Sequence, residues 1–507
     1  MAQTAAKYHE KTSYDRSSMG GHYLDWQNQP SVFKTYDGLK TISMSRGVPL
    51  PRKDFFSLYD DLPKSGIEHF AFDLELLSKM LLLTCTVTRK ARHADGGFYF
   101  RSVASAGALY PTEIYLHSSG VKDLEDGLYH FSILEHSLVK LRDGDLSDAL
   151  KRFMTACKTE NCPLTFFLTA IFFRSAWKYR NRAYRYHLLD TGHVLANLEL
   201  AVKALKLPFE ITLDFDDRVV NQLLGLDENR EVALAVCRLK GTPDSHRASE
   251  PKAIDDLPDK MKKASQVSPQ EFQTPEIQAI HVAGYDIMPG NADLNMCDTL
   301  GVFAESRVAV PPTSKTVERL PYPEAVFRRR SSRNFIAETL PVSAMGALLG
   351  VIEPVDENGM DAYFQSICTG FLTNGVESFE NGFYVMNEKA TGVGFVKPGA
   401  FTKTMSHICL NQEWMANASL HFLFMTNMAS LEKSWGPRGY RYAMMAAGIL
   451  GERLYLAASA LGLGCCGIGA FYDGEASRLL GLNAWSRVLY IVSLGIVKSM
   501  PGRDHLE

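Results

Sequence analysis

The chain has 507 residues, 46% of them hydrophobic, and a formal net charge of −3 at pH 7. This length predicts two to four domains, and the apolar content is too high for a disordered protein. Because acidic and basic residues nearly balance, there is no global positive field to attract nucleic acid or an anionic membrane surface. The charge balance therefore disfavours general polyanion binding as the main function.

The nine cysteines include no C-x-x-C pair, and the 14 histidines show no metal-ligand spacing. We therefore predict buried, unpaired thiols in a reducing compartment and no metal site. The first ten residues lack the pattern of a secretory signal, and the best apolar run, residues 488–497, is too short to span a membrane. The expectation is a cytoplasmic protein with no membrane partner.

In chain order, an apolar stripe at residues 72–83 predicts a helix. Strands are predicted at residues 113–117, 128–132, 164–173 and 232–236. Residues 188–205 predict a long helix whose apolar face is wider than a normal amphipathic stripe. In the second half, residues 342–349 predict a helix and residues 488–494 a strand. This order of helices and strands indicates an α+β fold with a central sheet.

The chain contains an internal repeat about half its own length. Residues 182–186 (RAYRY) recur as residues 438–442 (RGYRY), and residues 223–226 (LLGL) recur as residues 479–482, both at an offset of 256. Both copies also keep a glycine in the middle of the long helix, Gly192 and Gly448, which predicts close approach of another helix backbone. We predict that the two long helices pair.

The repeat divides the chain into two domains. Residues 1–240 form the first predicted domain and residues 286–507 the second, and residues 241–285 form a connector that begins with a stretch rich in Pro, Ser, Asp, Lys and Gln. With the two long helices paired, the domains would form an intramolecular pseudo-dimer. A single chain would then be a complete unit, so the protein could function as a monomer.

A first candidate binding motif is the RRRSSRNF run at residues 328–335. On an extended segment Arg329, Ser331 and Arg333 would point to one face, where two guanidinium groups and a hydroxyl can converge on one phosphate. On its own, so short a basic run is also compatible with a solvated loop.

Two further motifs are rich in small residues. Residues 101–111 carry Ser105, Ala106 and Gly107 in a turn suited to backbone approach against a flat polar ring, although an ordinary tight turn would look the same. Residues 464–471 (GCCGIGAF) carry Gly467, Ile468 and Gly469 after the second long helix. This is not the dinucleotide-binding G-x-G-x-x-G, because the spacing is reversed and the motif follows a helix.

Together with residues 178–193 (KYRNRAYRYHLLDTGH), these motifs resemble the nitroreductase-like FMN flavoproteins. The closest branch is the SagB-type dehydrogenases, which oxidise azolines in modified peptides to thiazoles and oxazoles. The resemblance implies FMN as cofactor and hydride transfer between flavin N5 and a small or peptide-borne substrate. A generic NAD(P)H-dependent nitro or quinone reductase, and a non-catalytic flavin- or peptide-binding module, remain alternatives.

Members of this family are usually dimers whose FMN sites use residues of both subunits. The resemblance implies a phosphate cradle at Arg329, Ser331 and Arg333, and an N5 segment at Gly467, Ile468 and Gly469, both in the second copy. It implies a ring-closing turn at Ser105, Ala106 and Gly107 in the first copy, to which we add Arg101 at the start of that motif. Each copy would thus supply half of one FMN site.

The complementary halves look lost. No arginine stands near Pro63, Lys64 and Ser65; Ile211 and Leu213 replace the second copy's glycines; and the second copy offers only Thr369 and Gly370 for the turn. The sequence therefore predicts one complete site and one ruined site.

Lys178 and Tyr179 match the suspected catalytic pair of the branch; the second copy has Ser434 and Trp435 instead. We expect the pair over the surviving site, with a Tyr179 phenolate, favoured by the Lys178 ammonium, as base. The alternative is a packed tyrosine beside a solvated lysine. Asp190, His193 and Asn197 share one side of the long helix, where we expect a buried polar network rather than catalysis.

Overall fold

A computed structural model describes residues 3–60, 72–93, 96–153, 162–241, 255–288, 290, 294–309, 319–353, 359–386 and 392–498. The first half contains strands β1 (Thr41–Ser43), β2 (Val87–His93), β3 (Gly96–Arg101), β4 (Thr112–Ser118), β5 (Gly127–Ser132), β6 (Ser137–Asp143), β7 (Leu164–Ile171), β8 (Phe209–Thr212) and β9 (Glu231–Leu239). Its helices are α1 (Ala5–Lys11), α2 (Ser57–Asp60), α3 (Leu74–Thr84), α4 (Ser147–Phe153), α5 (Phe172–Tyr179), α6 (Ala183–Ala204) and α7 (Asp217–Leu224).

Two helices follow in the predicted connector, α8 (Asp259–Lys262) and α9 (Pro275–Ala283). The second half contains strands β10 (Ser306–Val308), β11 (Cys368–Thr373), β12 (Gly382–Met386), β13 (Val393–Pro398), β14 (Leu420–Asn427), β15 (Gly464–Ile468) and β16 (Ser486–Gly495). Its helices are α10 (Tyr322–Arg328), α11 (Val342–Ile352), α12 (Asp361–Phe364), α13 (Phe401–Ile408), α14 (Met428–Trp435), α15 (Gly439–Ala460) and α16 (Asp473–Leu480).

Each half builds a seven-stranded antiparallel sheet of the same topology. The strand orders are β1-β6-β5-β4-β7-β9-β8 and β10-β13-β12-β11-β14-β16-β15, and β2 and β3 form a separate hairpin in the first half. Every residue of β7 and β9 is buried, which explains why these strands read as continuous apolar runs without alternation. The predicted pair of α+β domains, each with a central antiparallel sheet flanked by helices, is confirmed.

The long helices α6 and α15 pack against each other between the two sheets. A Cβ atom placed on Gly192 would lie 2.5 Å from the carbonyl oxygen of Met445, and one placed on Gly448 would lie 2.4 Å from that of Leu189. The two backbones therefore approach too closely for any side chain at these positions. Every residue of α6 except Lys203 is buried, which explains its wide apolar face.

Buried ion pairs repeat across the interface with the same offset. Arg182 and Arg185 contact Asp473 at 2.8 and 2.6 Å, and their counterparts Arg438 and Arg441 contact Asp217 at 2.6 and 2.8 Å. Each arginine pair reaches the first residue of a helix in the opposite domain, α16 or α7. Because each carboxylate is shared by two guanidinium groups, its charge is compensated although it is removed from water.

Helix α9 lies within the predicted connector but behaves like an N-terminal helix of the second domain. His9 of α1 lies 3.1 Å from the Tyr440 hydroxyl, and His281 of α9 lies at the same distance from the hydroxyl of the counterpart, Tyr184. We propose that the second domain begins at α9. Residues 242–254 of the predicted connector lie outside the described residues.

The prediction of unpaired thiols is wrong for two cysteines. Cys297 and Cys368 form a disulfide with a Cα–Cα distance of 4.9 Å, although 71 residues separate them in sequence. Packing of the segment before β10 against β11 brings them together, which their spacing could not reveal. Of the other cysteines, Cys465 and Cys466 are free and buried, as predicted. Among the helices that the structure describes, none combines the length and the apolarity required to cross a membrane.

Candidate functional site

A cavity of about 170 Å³ lies between the two domains, beside the crossing of α6 and α15. Nine of the twelve predicted site residues line it: Ser105, Ala106, Gly107 and Tyr179 from the first domain, and Ser331, Arg333, Gly467, Ile468 and Gly469 from the second. The structure thus brings the halves predicted in different copies to one place. Arg101, Arg329 and Lys178 are not part of the lining.

The first-domain wall is the turn at residues 104–107. Gly107 has a φ of 65°, which glycine adopts without a steric penalty. The Ser105 hydroxyl donates to Asp190 Oδ2 at 2.6 Å, and the Ala106 N–H donates to Asp190 Oδ1 at 3.2 Å. These two donors, expected to face a ligand, are thus already engaged by Asp190.

The second-domain wall is the end of β15, an edge strand of its sheet, rather than a loop. The Gly467 N–H donates to the Tyr455 hydroxyl at 2.6 Å, and that hydroxyl lies 2.9 Å from Ser331 Oγ. The Gly469 carbonyl accepts hydrogen bonds from Arg182 of the first domain at 2.9 Å and from Tyr186 at 3.1 Å. First-domain side chains therefore fix the backbone of the second-domain wall.

The two outer arginines of the predicted cradle separate. Arg333 is exposed and lines the cavity, whereas Arg329 is buried and points to the first domain. Residues 329–334 are not a strand, so the expected alternation does not apply to them. Arg101 is also buried: its guanidinium lies 4.6 Å from the centre of the Tyr110 ring.

Lys178 and Tyr179 both lie over Gly107. A Cβ atom placed on Gly107 would lie 2.8 Å from the Tyr179 hydroxyl and 3.4 Å from Lys178 Nζ. Burial raises the pKa of Tyr179 well above its usual value, while burial and the nearby Arg333 charge lower the pKa of Lys178. These shifts run against the expected Tyr179 phenolate. The structure favours a neutral phenol beside a lysine that loses its proton more readily than usual.

The three polar side chains predicted along one side of α6 are all buried and hydrogen-bonded, and Asp190 accepts from the turn described above. His193 Nδ1 lies 2.5 Å from Glu452 Oε2 and His193 Nε2 lies 3.1 Å from the Tyr490 hydroxyl, and Asn197 donates to the Thr84 carbonyl. Asp190 and His193 also line the cavity, and burial raises the pKa of Asp190 to about 6.

Sequence reasoning missed several cavity residues, namely Tyr186, Leu189, Gln412, Tyr455 and Tyr490. It also missed the contact of Asp190 with the turn. One signal was available for Asp190, because the position 256 residues later holds Ala446 within an otherwise similar block. No comparable signal marks the tyrosines, which read as ordinary core residues.

The repeat relates the cavity to a second, equivalent position on the other side of the α6–α15 pair. Side chains fill this second position. Tyr363 stands where the first copy has Gly107, and Leu213 stands where the second copy has Gly469. The Tyr363 hydroxyl accepts the Leu213 N–H at 3.0 Å, and its ring lies 4.9 Å from that of Tyr442. Tyr363 therefore fills the space beside α15 that corresponds to the cavity beside α6.

The counterparts of the turn and of the arginine cradle at the second position can be compared with the prediction. The counterpart of the turn in the second domain is residues 361–363, because Thr369 and Gly370, which we had expected there, lie inside β11. Pro63, Lys64 and Ser65, where the first copy would carry a cradle, lie outside the described residues.

Fold and cavity together define a tandem α+β protein with a cavity lined by residues of both domains. The profile of the Nitroreductase family matches residues 73–239 and 373–496, and the chain belongs to that family. The family resemblance drawn from the motifs is therefore confirmed, and it places the chain in the general class of oxidoreductases. Members of the family typically bind flavin.

Comparison with known proteins identifies relatives that are similar to part of the chain. The chain is 30% identical over 149 residues to the trifolitoxin-processing protein TfxB of Rhizobium leguminosarum bv. trifolii, covering 28% of this chain and 40% of that protein. It is 28% identical over 149 residues to the microcin B17-processing protein McbC of Escherichia coli, covering 28% of this chain and 54% of that protein. The matches thus span about half the length of these relatives.

A crystal structure from Anabaena variabilis ATCC 29413, described as a putative nitroreductase, is similar to the whole molecule. The TM-score is 0.76 at 28% identity, and the match covers 98% of this chain and 100% of that one. The tandem arrangement of two domains therefore also occurs in an experimentally determined structure.

Proposed function

We propose that this protein is an FMN-dependent oxidoreductase with one flavin, bound in the cavity between the two domains. The observation that carries the proposal is the asymmetry of the interface: one of two repeat-related positions is an open cavity lined by both domains, and Tyr363 fills the other. Family membership supports flavin as the ligand.

The residues of the cavity fit FMN. Gly107, Gly467 and Gly469 bring backbone from both domains to the cavity without a Cβ atom, which suits a large flat ring. Arg333 and Lys178 make no ion pair with a carboxylate anywhere in the part of the chain that the structure describes. Arg333, which lines the cavity, is therefore available for a phosphate. Arg333 and Ser331 would hold the phosphate end, and the end of β15 would hold the ring.

Lys178 and Tyr179 are proposed as the catalytic pair. Bound FMN would supply the acceptor for a hydride equivalent from the substrate. Lys178, whose lowered pKa makes the neutral amine more available, would take the proton that leaves the same substrate. Tyr179 would stay neutral and donate a hydrogen bond that orients the substrate.

The proposed substrate is a peptide-borne azoline or a similar small ring. Support comes from the relatives TfxB and McbC, whose names describe processing of trifolitoxin and microcin B17. Oxidation of an azoline to its aromatic ring removes one proton and one hydride, which matches a base beside a flavin. Neither nucleic acid nor a membrane is needed as a partner for this reaction.

Flavin content is the first test. Purified protein should carry one FMN per 507-residue chain, measured by flavin absorbance against protein concentration after release of the flavin. Two FMN per chain would contradict the filled second position, and none after reconstitution with excess FMN would favour a non-catalytic module.

Turnover decides between the enzyme classes. The FMN-loaded protein should oxidise a synthetic thiazoline peptide with oxygen as final electron acceptor, which we expect to detect by a loss of two mass units per ring. Rapid flavin reduction by NADH or NADPH without thiazoline turnover would favour a generic nitro or quinone reductase.

A further inference from the structure

The turn beside the cavity has a backbone conformation that does not persist unaided. Gly107, Ala108 and Tyr110 have φ values of 65°, 52° and 46°. Residues with a Cβ atom rarely adopt this left-handed region, so Ala108 and Tyr110 are held there against their own preference. Such strain survives only where surrounding contacts fix the backbone.

The first set of contacts comes from Asp190 on α6. Its carboxylate accepts the Ser105 hydroxyl and the Ala106 N–H, and the same Ser105 oxygen accepts the Tyr110 N–H at 2.9 Å. Asp190 therefore holds both ends of the strained segment through a single serine. The groups that face Asp190 are Tyr179, His193 on α6, Glu452 on α15 and Tyr490 on β16.

The second set of contacts comes from the opposite domain. Arg329 Nε donates to the Ser102 carbonyl at 2.6 Å, and Arg329 Nη2 donates to the Arg101 carbonyl at 3.1 Å. The guanidinium carbon also lies 5.4 Å from the centre of the Tyr455 ring. The Arg329 side chain thus packs against Tyr455 of its own domain and donates to the first-domain backbone that leads into the turn.

We propose that Asp190 and Arg329 are positioning residues that hold the turn at residues 105–110 in its cavity-forming shape from two domains at once. Arg329 then serves the site through the turn rather than as a phosphate ligand. The filled position lacks this device: Ala446 replaces Asp190 and Asp361 replaces Ser105. The role of Asp190 and Arg329 in flavin binding rests on the proposed function. Their role in holding the turn does not.

The Arg329 contact is tested by replacing it with a residue that keeps its charge. Arg329→Lys loses the two-carbonyl geometry, so the dissociation constant for FMN should rise about tenfold. Arg328→Lys is the matched control, since Arg328 is exposed and pairs only with Glu324 within the described structure; it should leave the constant unchanged. Equal affinities for the two variants would overturn the role of Arg329.

The Asp190 contact is tested by a double-mutant cycle with Ser105. Asp190→Asn and Ser105→Ala should each lower the melting temperature of the flavin-free protein, and the double variant should melt no lower than the worse single variant. Additive losses would show that the two residues do not act as one unit. Because the measurement needs no flavin, it decides on the clamp even if the protein binds no FMN.

A pH profile separates positioning from mere packing. Since the carboxylate form accepts both donors, FMN affinity of the parent protein should fall as pH drops through about 6. This fall should be smaller in Asp190→Asn, because residue 190 no longer titrates and only the FMN phosphate, with a second pKa of about 6, still does. The same profile in both proteins would assign the pH dependence to another group and overturn the role of Asp190.

Discussion

The two repeat-related positions beside the α6–α15 pair share a backbone framework and differ in what fills them. One is an open cavity lined by Gly107 and Gly469; at the other, Tyr363 and Leu213 occupy the matching places and bond to each other. The framework around them is the same, down to Arg182 with Asp473 on one side and Arg438 with Asp217 on the other. Ion pairs between the domains are therefore present twice, while the open cavity is present at only one of these two positions.

This difference explains what a tandem chain can do that a dimer of identical subunits cannot. In a symmetric dimer any substitution appears at both sites, so Gly107 could not become tyrosine at one site alone. Within one chain, each domain can keep the half-site that the shared cavity uses. Four predictions test this comparison, beginning with the largest expected effect.

Lys178 and Tyr179 should be required for turnover, whereas their counterparts at the filled position should not. Lys178→Met removes the proposed base, so turnover of the thiazoline peptide should fall about 100- to 10,000-fold with flavin retained, and Tyr179→Phe should lose less. Parent turnover should rise with pH through the lowered pKa of Lys178, because the neutral amine is the active form. The counterpart change Ser434→Ala should leave the rate unchanged; a loss there would contradict a single active site.

Gly107→Tyr should convert the open position into a copy of the filled one. The new side chain meets the Tyr179 hydroxyl and adopts an unfavourable φ, so FMN affinity should fall at least about 100-fold by equilibrium titration. Tyr363→Phe, on the filled side, should bind FMN as the parent does. Retained affinity in Gly107→Tyr would place the flavin elsewhere.

Substitution of Arg333 should show whether this residue contacts the phosphate or the ring of FMN. Arg333→Ala should weaken FMN binding about tenfold or more and leave riboflavin binding nearly unchanged, since a charge-assisted hydrogen bond contributes about 1.5–3 kcal/mol. Arg330→Ala provides the control, because Arg330 donates only to carbonyls of its own segment in the structure described. Equal losses for FMN and riboflavin would show that Arg333 does not contact the phosphate.

The helix pair should respond alike on both sides, because both domains use it. Gly192→Ala and Gly448→Ala each push a Cβ atom against a carbonyl of the facing helix, which should cost about 1–3 kcal/mol of unfolding free energy. Gly474→Ala in α16 is the control: its Cβ atom would meet only the flexible end of the Arg478 side chain, at 3.3 Å, so the change should be neutral or slightly stabilising. Unequal losses at Gly192 and Gly448, measured by denaturant unfolding, would show that the symmetry of the framework is only apparent.

Much of the architecture was predictable because it depends on patterns that repeat along the chain. The 256-residue offset predicted two domains, the apolar runs predicted β7, β9 and β16, and Gly192 with Gly448 predicted the helix contact. Ile211 and Leu213, which stand where the second copy has glycines, distinguished the two copies at matching positions. Each of these signals is local, or compares a position with its own copy.

The rest depended on contacts between residues far apart in sequence. The sequence motif of arginines could not show that Arg329 turns toward the carbonyls of residues 101 and 102 while Arg333 lines the cavity. Nor could spacing reveal the Cys297–Cys368 disulfide or the grip of Asp190 on Ser105.

By itself, then, the sequence determined the repeated fold, the class of protein and the residue types available for one hybrid site. Tertiary structure alone decided which of those residues line the cavity, which of them contact its walls, and that Tyr179 is buried, which raises its pKa. The physical reason is that side-chain direction, burial and charge proximity at this interface are set by the crossing of α6 and α15, and no local pattern records that crossing.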